Sequence, residues 1–345
     1  MALFYLLAFV ILFYGAKYQK QGYYSDNLGK DQTNAIKGFF VLMVFISHSM
    51  LEVRDAGFGF DGGIDALGSR IRSEFGQLVV VMFLLYSGYG VMESYIKKGR
   101  DYIKTFPKKR ILTTLMNFDI AVLLFIILDF ALGIEISFKQ IGLAFIGWRS
   151  VGNSNWYIFV ILFCYASAYL GFRLTPNNKA KSAWVVLIAV VMGMLLLSFK
   201  KQSWWYNTML CFPAGMWLSI YKEKLLIFFQ RYYLVVFLVT LCAFLSLHFV
   251  KLPELYGFTH NLESMLFAVV IVLLTMKIKT GNAILQWLGI NLFPIYIYQR
   301  LPMIALSKLA GGGFICAYPY VFMITCLVVA CVIAWGYRFW RVTFA

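Results

Sequence analysis

The stretch "AIKGFFVLMVFISHSM", from Ala35 to Met50, is an apolar run of helix length that retains two ionisable side chains. Lys37 lies near its beginning and His48 near its end. Apolar α-helices of about 17 to 25 residues cross the hydrocarbon core of a bilayer. An ionisable group inside such a helix is unfavourable unless it is paired or in contact with water. The stretch therefore predicts a membrane helix in which both side chains require an explanation.

The composition of the whole chain indicates the same class of protein. Its 345 residues are 61% hydrophobic and 13% charged, whereas soluble domains contain about 25% charged residues. We therefore predict an all-α, polytopic transmembrane helix bundle with about 10 to 11 spanning helices. It forms one integral-membrane domain over residues 1–345, with its core at 35–345 and an additional N-terminal helix and linker at 1–34.

The spans are placed on the apolar runs between short polar connections. The first run is short and is interpreted either as a span or as a helix at the membrane interface. It lacks the charged segment with which a signal peptide begins, so a cleaved signal peptide is not expected. The predicted spans are 1–16, 35–51, 77–94, 111–130, 155–172, 184–199, 208–221, 232–249, 263–276, 288–304 and 314–336.

The distribution of Lys and Arg predicts the orientation. The densest basic connection, "KKGRDYIKTFPKKR" at Lys97–Arg110, is expected to stay in the cytoplasm. Alternation of the spans then places most of the other cations on the same, cytoplasmic side. The acidic loop Glu52–Glu74 and the N-terminus are expected outside, and the C-terminus inside. The net charge of +16 is mainly a topology signal, and nucleic acid is not expected as a partner because no soluble basic domain is present.

Cysteine and histidine provide no metal-binding pattern. The six cysteines lie in apolar runs without paired CxxC spacing, so they are interpreted as packing residues. Among the three histidines, His248 and His260 are expected to make only local hydrogen bonds. No metal site is predicted.

The eleven-residue separation of Lys37 and His48 places both on one helix face. At about 100° and 1.5 Å per residue, the two side chains are roughly 16 Å apart along the axis. In one interpretation Lys37 extends to the interface and His48 only bonds a neighbouring helix. In the other, the face binds an anion at one end and performs proton chemistry at the other, because histidine is the most frequent general base. The spacing leaves both open.

Several segments, taken in order, resemble the acyltransferase family 3 membrane proteins, which O-acylate bacterial surface polysaccharides and related acceptors. In that family a basic residue, usually Arg, precedes a histidine by eleven positions, as Lys37 precedes His48 in "IKGFFVLMVFISHS". Ser87, Gly88 and Tyr89 are similar to the end of the following aromatic-rich helix. The other similar segments are "FPKKRILTTLMNF", "NSNWYIFVILFCY" and "NLFPIYIYQRLP".

The resemblance implies acyl transfer from cytoplasmic acyl-CoA, with acetyl as the expected acyl group, to a hydroxyl of an extracytoplasmic or lipid-linked saccharide at the bacterial inner membrane. His48 would be the general base, and no cofactor would be bound permanently. Cations would hold the phosphates of the donor, although those of the loop are explained equally well by topology alone. The candidates are Lys37, Lys97, Lys98, Lys108, Lys109 and Arg110.

Polar side chains within the spans are candidates for the pocket and for stabilising the tetrahedral oxyanion. Helix packing is the alternative for Ser87, and an interfacial position is the alternative for Trp156. Asp119 is expected either to pair with a cation or to help form the pocket. The candidates are Ser87, Tyr89, Asn155, Trp156, Gln299 and Asp119.

Two departures from the family pattern affect these expectations. Lys37 replaces the usual Arg and cannot form a planar bidentate contact with phosphate. Gln299 occupies a position where some members have a second histidine. The alternative functions are a transporter or flippase, for which repeats and paired broken helices are expected, and a glycan polymerase or glycosyltransferase, for which a large outer loop is expected. The sequence shows neither signal.

Overall fold

The computed structural model of the protein describes residues 1–250 and 256–344. Helices form almost all of the regular structure there. In chain order the elements are α1 (Ala2–Phe13), β1 (Lys17–Tyr18), α2 (Lys30–Asp55), α3 (Gly63–Phe75), α4 (Val81–Lys98), α5 (Arg100–Phe106), α6 (Thr113–Ala131), α7 (Phe138–Ala144), α8 (Trp156–Leu174), α9 (Lys179–Ser198), α10 (Cys211–Ile220), α11 (Lys222–Arg231), α12 (Tyr233–Phe249), α13 (Tyr256–Lys277), β2 (Ile278–Lys279), α14 (Ala283–Ile290), α15 (Leu292–Tyr298), α16 (Arg300–Ala317) and α17 (Pro319–Gly336).

Seven helical segments in the described residues are long and apolar enough to cross a membrane. The pair α11 and α12 meets the same criterion when taken together, but it is bent by 99°. The prediction of an all-α, multi-pass membrane protein is confirmed. The seven segments are Lys30–Asp55, Gly63–Lys98, Arg100–Ala131, Trp156–Leu174, Lys179–Ser198, Gly257–Lys277 and Pro319–Phe339.

The sequence analysis divided the apolar runs into more spans than the seven or eight found in residues 1–250 and 256–344. Two predicted spans correspond to the short apolar helices α1 and α10, of 12 and 10 residues. Helices of this length do not reach across a hydrocarbon core of about 30 Å. A third predicted span, 288–304, is divided among α14, α15 and α16.

The run 288–304 is broken at Asn291, and its helical hydrogen bonding is interrupted again at Gln299, where the backbone keeps α-helical dihedral angles. Pro294 and Pro302 are each the third residue of the helix that follows a break. Proline lacks the N–H that an interior helical position donates, but the N–H groups of the first turn have no partner within the helix. Both prolines are therefore compatible with the start of a helix. As a result, the fully buried Gln299 lies at a helix junction rather than in mid-helix.

Glycines bring two pairs of helices into close contact. A Cβ on Gly88 of α4 would overlap the carbonyl oxygen of Phe212 in α10, and the same relation holds between α2 and α14 at Gly38 and Gly289. Small residues allow this approach of helix backbones inside membranes. These contacts fix the positions of α2 and α4, which carry several of the predicted site residues.

The segment between α1 and α2 is tied to the chain that follows α13. Lys17 of β1 pairs with Lys279 of β2 in antiparallel register. Near the start of α2, the Gln32 side chain donates to the Thr280 hydroxyl at 3.1 Å and accepts from its backbone N–H at 3.0 Å. This two-stranded connection holds the end of α2 that carries Lys37.

Candidate active site

A basic cavity opens at the Lys37 end of α2. Its volume is about 660 Å³, and its walls come from α2, α4, the turn at Pro107–Leu112 and the start of α11. Four of the lining side chains are cations and one is a carboxylate. The lining residues are Leu28, Lys30, Thr33, Asn34, Lys37, Tyr86, Ser87, Tyr89, Gly90, Glu93, Ser94, Arg110 and Lys222.

The charges of the basic cavity are not balanced by protein carboxylates. The ion pairs within the described part of the chain involve none of its four cations, Lys30, Lys37, Arg110 and Lys222. Glu93 accepts a hydrogen bond from Ser219 at 2.8 Å. Clustered cations inside low-dielectric walls concentrate anionic ligands. The cavity is therefore suited to a phosphorylated ligand.

The predicted cations divide between the cavity and the surface. Lys37 and Arg110 line the cavity, whereas Lys97, Lys98 and Lys109 are exposed and lie outside its lining. The Lys108 ammonium is also outside the cavity, at 5.2 Å from the centre of the Phe344 ring. These exposed lysines are close in sequence to residues that line the cavity, but they do not line it themselves.

Two cavity cations were not among the predicted binding residues. Lys30 precedes Lys37 by seven positions, which is two helical turns on nearly the same face of α2, so the helical period contained a signal for it. Lys222 reaches the cavity from α11, and its Nζ lies 5.8 Å from the centre of the Tyr89 ring. Nothing in the sequence near Lys222 indicated that contact.

His48 lies on α2 about three turns from Lys37, where α15 and α16 pack against α2. Its side chain is half-buried, and its Nδ1 atom is buried with no hydrogen-bond partner among the described residues. The adjacent Ser49 contacts the sulfur of Met303 in α16 at 3.9 Å. Four residues after His48, Glu52 accepts a 2.8 Å hydrogen bond from Arg300. His48 thus lies between the basic cavity and an ion pair.

Further unpaired polar atoms surround this part of the bundle. In the region that the structure describes, the hydroxyls of Tyr86 and Tyr296 and the Gln299 Oε1 are buried without partners. Tyr296 packs against Tyr157 with ring centres 5.2 Å apart, and the Tyr157 hydroxyl lies beside Ser87. We name Tyr296, Gln299 and His48 the polar layer, whereas Tyr86 lines the basic cavity. Buried polar groups are nearly always paired, so this set of unpaired atoms is typical of a ligand site.

Tyr86 of the basic cavity and Tyr296 of the polar layer were not predicted, although each lies close in sequence to a residue that was considered. Tyr86 precedes Ser87, and Tyr296 lies three positions before Gln299. Gln299 was a candidate and is in the layer. Its Nε2 donates to the Tyr296 carbonyl at 3.2 Å.

The remaining predicted pocket residues have other surroundings. Ser87 and Tyr89 line the basic cavity. Asn155 donates to the Gly147 carbonyl at 2.7 Å and so supports the loop before α8. Trp156 packs against Tyr157 with ring centres 6.0 Å apart. Asp119 is outside the cavity lining, and its buried Oδ1 has no partner among residues 1–250 and 256–344.

The multi-pass helical bundle thus carries a basic cavity and, about three turns further along the same face of α2, a histidine whose Nδ1 is buried. The sequence pattern of the family described as acyltransferase domain matches residues 31–337, nearly the whole chain. The chain belongs to this family, which is the one that its motifs resemble, and is an acyltransferase. The match begins in the first turn of α2 and therefore leaves out α1 and β1. No curated protein and no solved structure matches the chain.

Proposed function

We propose that the protein transfers an acyl group, with acetyl as the first candidate, from cytoplasmic acyl-CoA to a hydroxyl of an extracytoplasmic or lipid-linked saccharide. His48 acts as the general base. One observation carries the proposal: α2 connects the basic cavity around Lys37 with the polar layer around His48. A substrate with a phosphorylated head and a reactive group at the end of a long arm fits these two regions.

Donor binding begins at the basic cavity. The phosphates of CoA lie against Lys30, Lys37, Arg110 and Lys222, whose positive charges have no carboxylate partners within the described residues. The pantetheine arm extends along α2 towards His48, a distance of roughly 16 Å along the helix axis. The thioester then lies in the polar layer.

The chemical step needs a base and an oxyanion site. The neutral His48 ring removes the proton from the acceptor hydroxyl as its oxygen attacks the thioester carbon. A new C–O bond forms, the C–S bond breaks, and the CoA thiolate takes a proton from the imidazolium. The tetrahedral oxygen accepts a hydrogen bond from the hydroxyl of Tyr296, which has no partner among the described residues. The products are an acylated saccharide and CoA.

The orientation that this proposal requires is the one expected from the basic connections. The Lys37 end of α2 faces the cytoplasm, where acyl-CoA is present, and the Asp55 end faces outward in a bacterial inner membrane. The Met1 amine, which contacts Asp65 of α3 and Tyr320 of α17, is then outside, and residues 1–16 together reach further across the membrane than the 12 residues of α1 alone. The C-terminus is inside.

Turnover of acetyl-CoA by the purified protein in lipid nanodiscs tests the function. The wild type is expected to release CoA from radiolabelled acetyl-CoA, by transfer or by hydrolysis, whereas a transporter or a glycosyltransferase leaves acetyl-CoA intact. His48→Ala is expected to lower kcat by about 10² to 10⁴, the range for removal of a general base. Its thermal unfolding should match that of the wild type. A fully active His48→Ala protein would contradict the mechanism.

A further inference from the structure

The Asp55 end of α2 carries a second group of charged residues. Helices α3 and α4 form one helical segment of 36 residues, Gly63–Lys98, which runs back along α2. Lys37 and Ser87 line the same cavity and so mark one level of the bundle. Relative to that level, His48 lies about 16 Å further along. Arg72 lies about 22 to 25 Å further along, because the 3-10 helix Gly76–Val80 joins α3 to α4 and rises more per residue than an α-helix. Arg72 is therefore one to two turns beyond His48.

Glu52 lies at the same level as Arg72, because it follows His48 by four residues on α2. Its carboxylate is occupied by Arg300 at 2.8 Å. Arg72 and Arg300 are also the two cations whose charges act on the His48 ring. Both arginines therefore lie near His48, on its side away from Lys37.

Arg72 has no protein partner in the described part of the chain. Its guanidinium is half-buried and makes neither a hydrogen bond nor an ion pair there. The nearby Asp55 carboxylate is engaged by Arg54, which donates from Nε at 3.1 Å and from Nη2 at 3.0 Å. Glu74, two residues after Arg72, contacts His248 at 3.0 Å instead.

Two neighbouring features leave this charge uncompensated. The Tyr5 hydroxyl lies near Arg72 and is buried without a hydrogen-bond partner among the described residues. It is a neutral phenol and supplies no negative charge. Arg54 pairs with Asp55 and Arg300 pairs with Glu52, so neither of these carboxylates is left to neutralise Arg72. A half-buried guanidinium without a counter-ion is unfavourable until an anion binds it.

We propose that Arg72 binds an anionic group of the acceptor, so that the enzyme acts on saccharides that carry a carboxylate or a phosphate. The anion pairs with the Arg72 guanidinium, and this contact places a neighbouring hydroxyl of the same saccharide at His48, one to two turns away. Arg72 is then a residue that determines acceptor specificity. This inference rests on the proposed acyl transfer only in identifying the bound anion as part of the acceptor.

Binding measurements without the donor test the site directly. The wild-type protein in phosphatidylcholine nanodiscs, which carry no net lipid charge, is titrated with methyl glucuronide, glucose 6-phosphate and methyl glucoside. We expect one or both anionic probes to bind at least about tenfold more tightly than the neutral glucoside, the effect of one charge-assisted hydrogen bond. The glucuronide and phosphate arms distinguish the two sources of negative charge.

Arg72→Gln and Arg70→Gln form the matched pair of variants. Arg70 is exposed, and two residues of helix place it on the opposite side of α3. Because the basic cavity also attracts anions, the readout is the difference between the variants: affinity for the anionic probe should fall at least about tenfold in Arg72→Gln and stay at the wild-type value in Arg70→Gln. Equal binding of the three probes by the wild type, including no detectable binding of any, overturns the proposal, as does an unchanged preference in Arg72→Gln.

His48→Ala separates this inference from the proposed function. The preference for the anionic probes should be unchanged in His48→Ala, because this variant retains the Arg72 guanidinium. A preference that depends on Arg72 in a protein that never turns over acetyl-CoA would refute acyl-CoA as the donor while supporting the anion site. Turnover of acetyl-CoA by a protein that shows no preference for the anionic probes would support acyl-CoA as the donor and refute the anion site.

Discussion

Gly38 of α2 faces Gly289 of α14 so closely that a Cβ on Gly38 would lie 3.0 Å from the Gly289 backbone nitrogen and would overlap the Leu285 carbonyl. A Cβ on Gly289 would in turn overlap the carbonyl oxygen of Asn34. The two backbones are therefore in direct contact beside Lys37. This contact fixes α2, whose Lys37 lines the basic cavity, at a distance from α14 that no larger residue permits.

Gly289→Ala is expected to destabilise the protein by about 1 to 3 kcal/mol, the cost of inserting a methyl group into a close-packed contact. The thermal unfolding midpoint in detergent or nanodiscs measures the effect. Gly142→Ala is the control, since a Cβ on Gly142 has no atom within 4 Å. Equal midpoints for the two variants would show that α2 and α14 can separate at little cost.

Lys37→Gln is expected to raise the KM for acetyl-CoA by about 10-fold to 100-fold, with a smaller change in kcat, because one charged contact to phosphate contributes about 1.5 to 3 kcal/mol. Lys97→Gln is the matched control, since Lys97 is exposed and outside the cavity lining. Steady-state kinetics with varied acetyl-CoA give both constants. An unchanged KM in Lys37→Gln would exclude Lys37 from donor binding.

Tyr296→Phe removes only a hydroxyl that has no hydrogen-bond partner in the described residues. We expect kcat to fall by about 10² to 10³, as when a single oxyanion donor is removed, without loss of thermal stability. Tyr18→Phe, at an exposed ring of β1, should keep wild-type activity. A stable Tyr296→Phe protein with normal kcat would leave the oxyanion to other donors.

His248→Gln tests a connection among three helices. His248 of α12 contacts Glu263 of α13 at 2.7 Å and Glu74 of α3 at 3.0 Å. The variant should lose about 1 to 3 kcal/mol of stability, because the Glu263 carboxylate remains buried without its partner. Unfolding of the double variant His248→Gln/Glu263→Gln should show partial recovery. Additive losses would instead mean that the contact contributes nothing.

The parts of the fold that follow from single helices could be predicted from the sequence. Composition and the length of apolar runs identified a helical membrane protein, since a bilayer requires every backbone polar group to be bonded within its own segment. The eleven-residue spacing put Lys37 and His48 on one face of α2 because a helix converts spacing into position. The same helical period would have identified Lys30, which lies seven residues before Lys37.

The parts that depend on contacts between distant segments could not be predicted. Lys222 and Arg110 belong to the same cavity as Lys37 only because α11 and the turn before α6 pack near α2 and α4. The division of 288–304 into three helices was also missed. Its prolines are compatible with both a kinked span and a new helix start, and tertiary packing decides between them.

The pairing of β1 with β2 has a consequence for biosynthesis. Asp26 and Lys279, which form a 2.5 Å hydrogen bond beside these strands, are 253 positions apart. At about 5 to 20 residues per second, a ribosome needs on the order of tens of seconds to synthesise the intervening chain. Throughout that interval the start of α2 lacks the partners that Thr280 and β2 supply. The start of α2, with Lys30 and Lys37 of the basic cavity, is therefore among the last parts of the enzyme to be completed, after most of the membrane helices have been made.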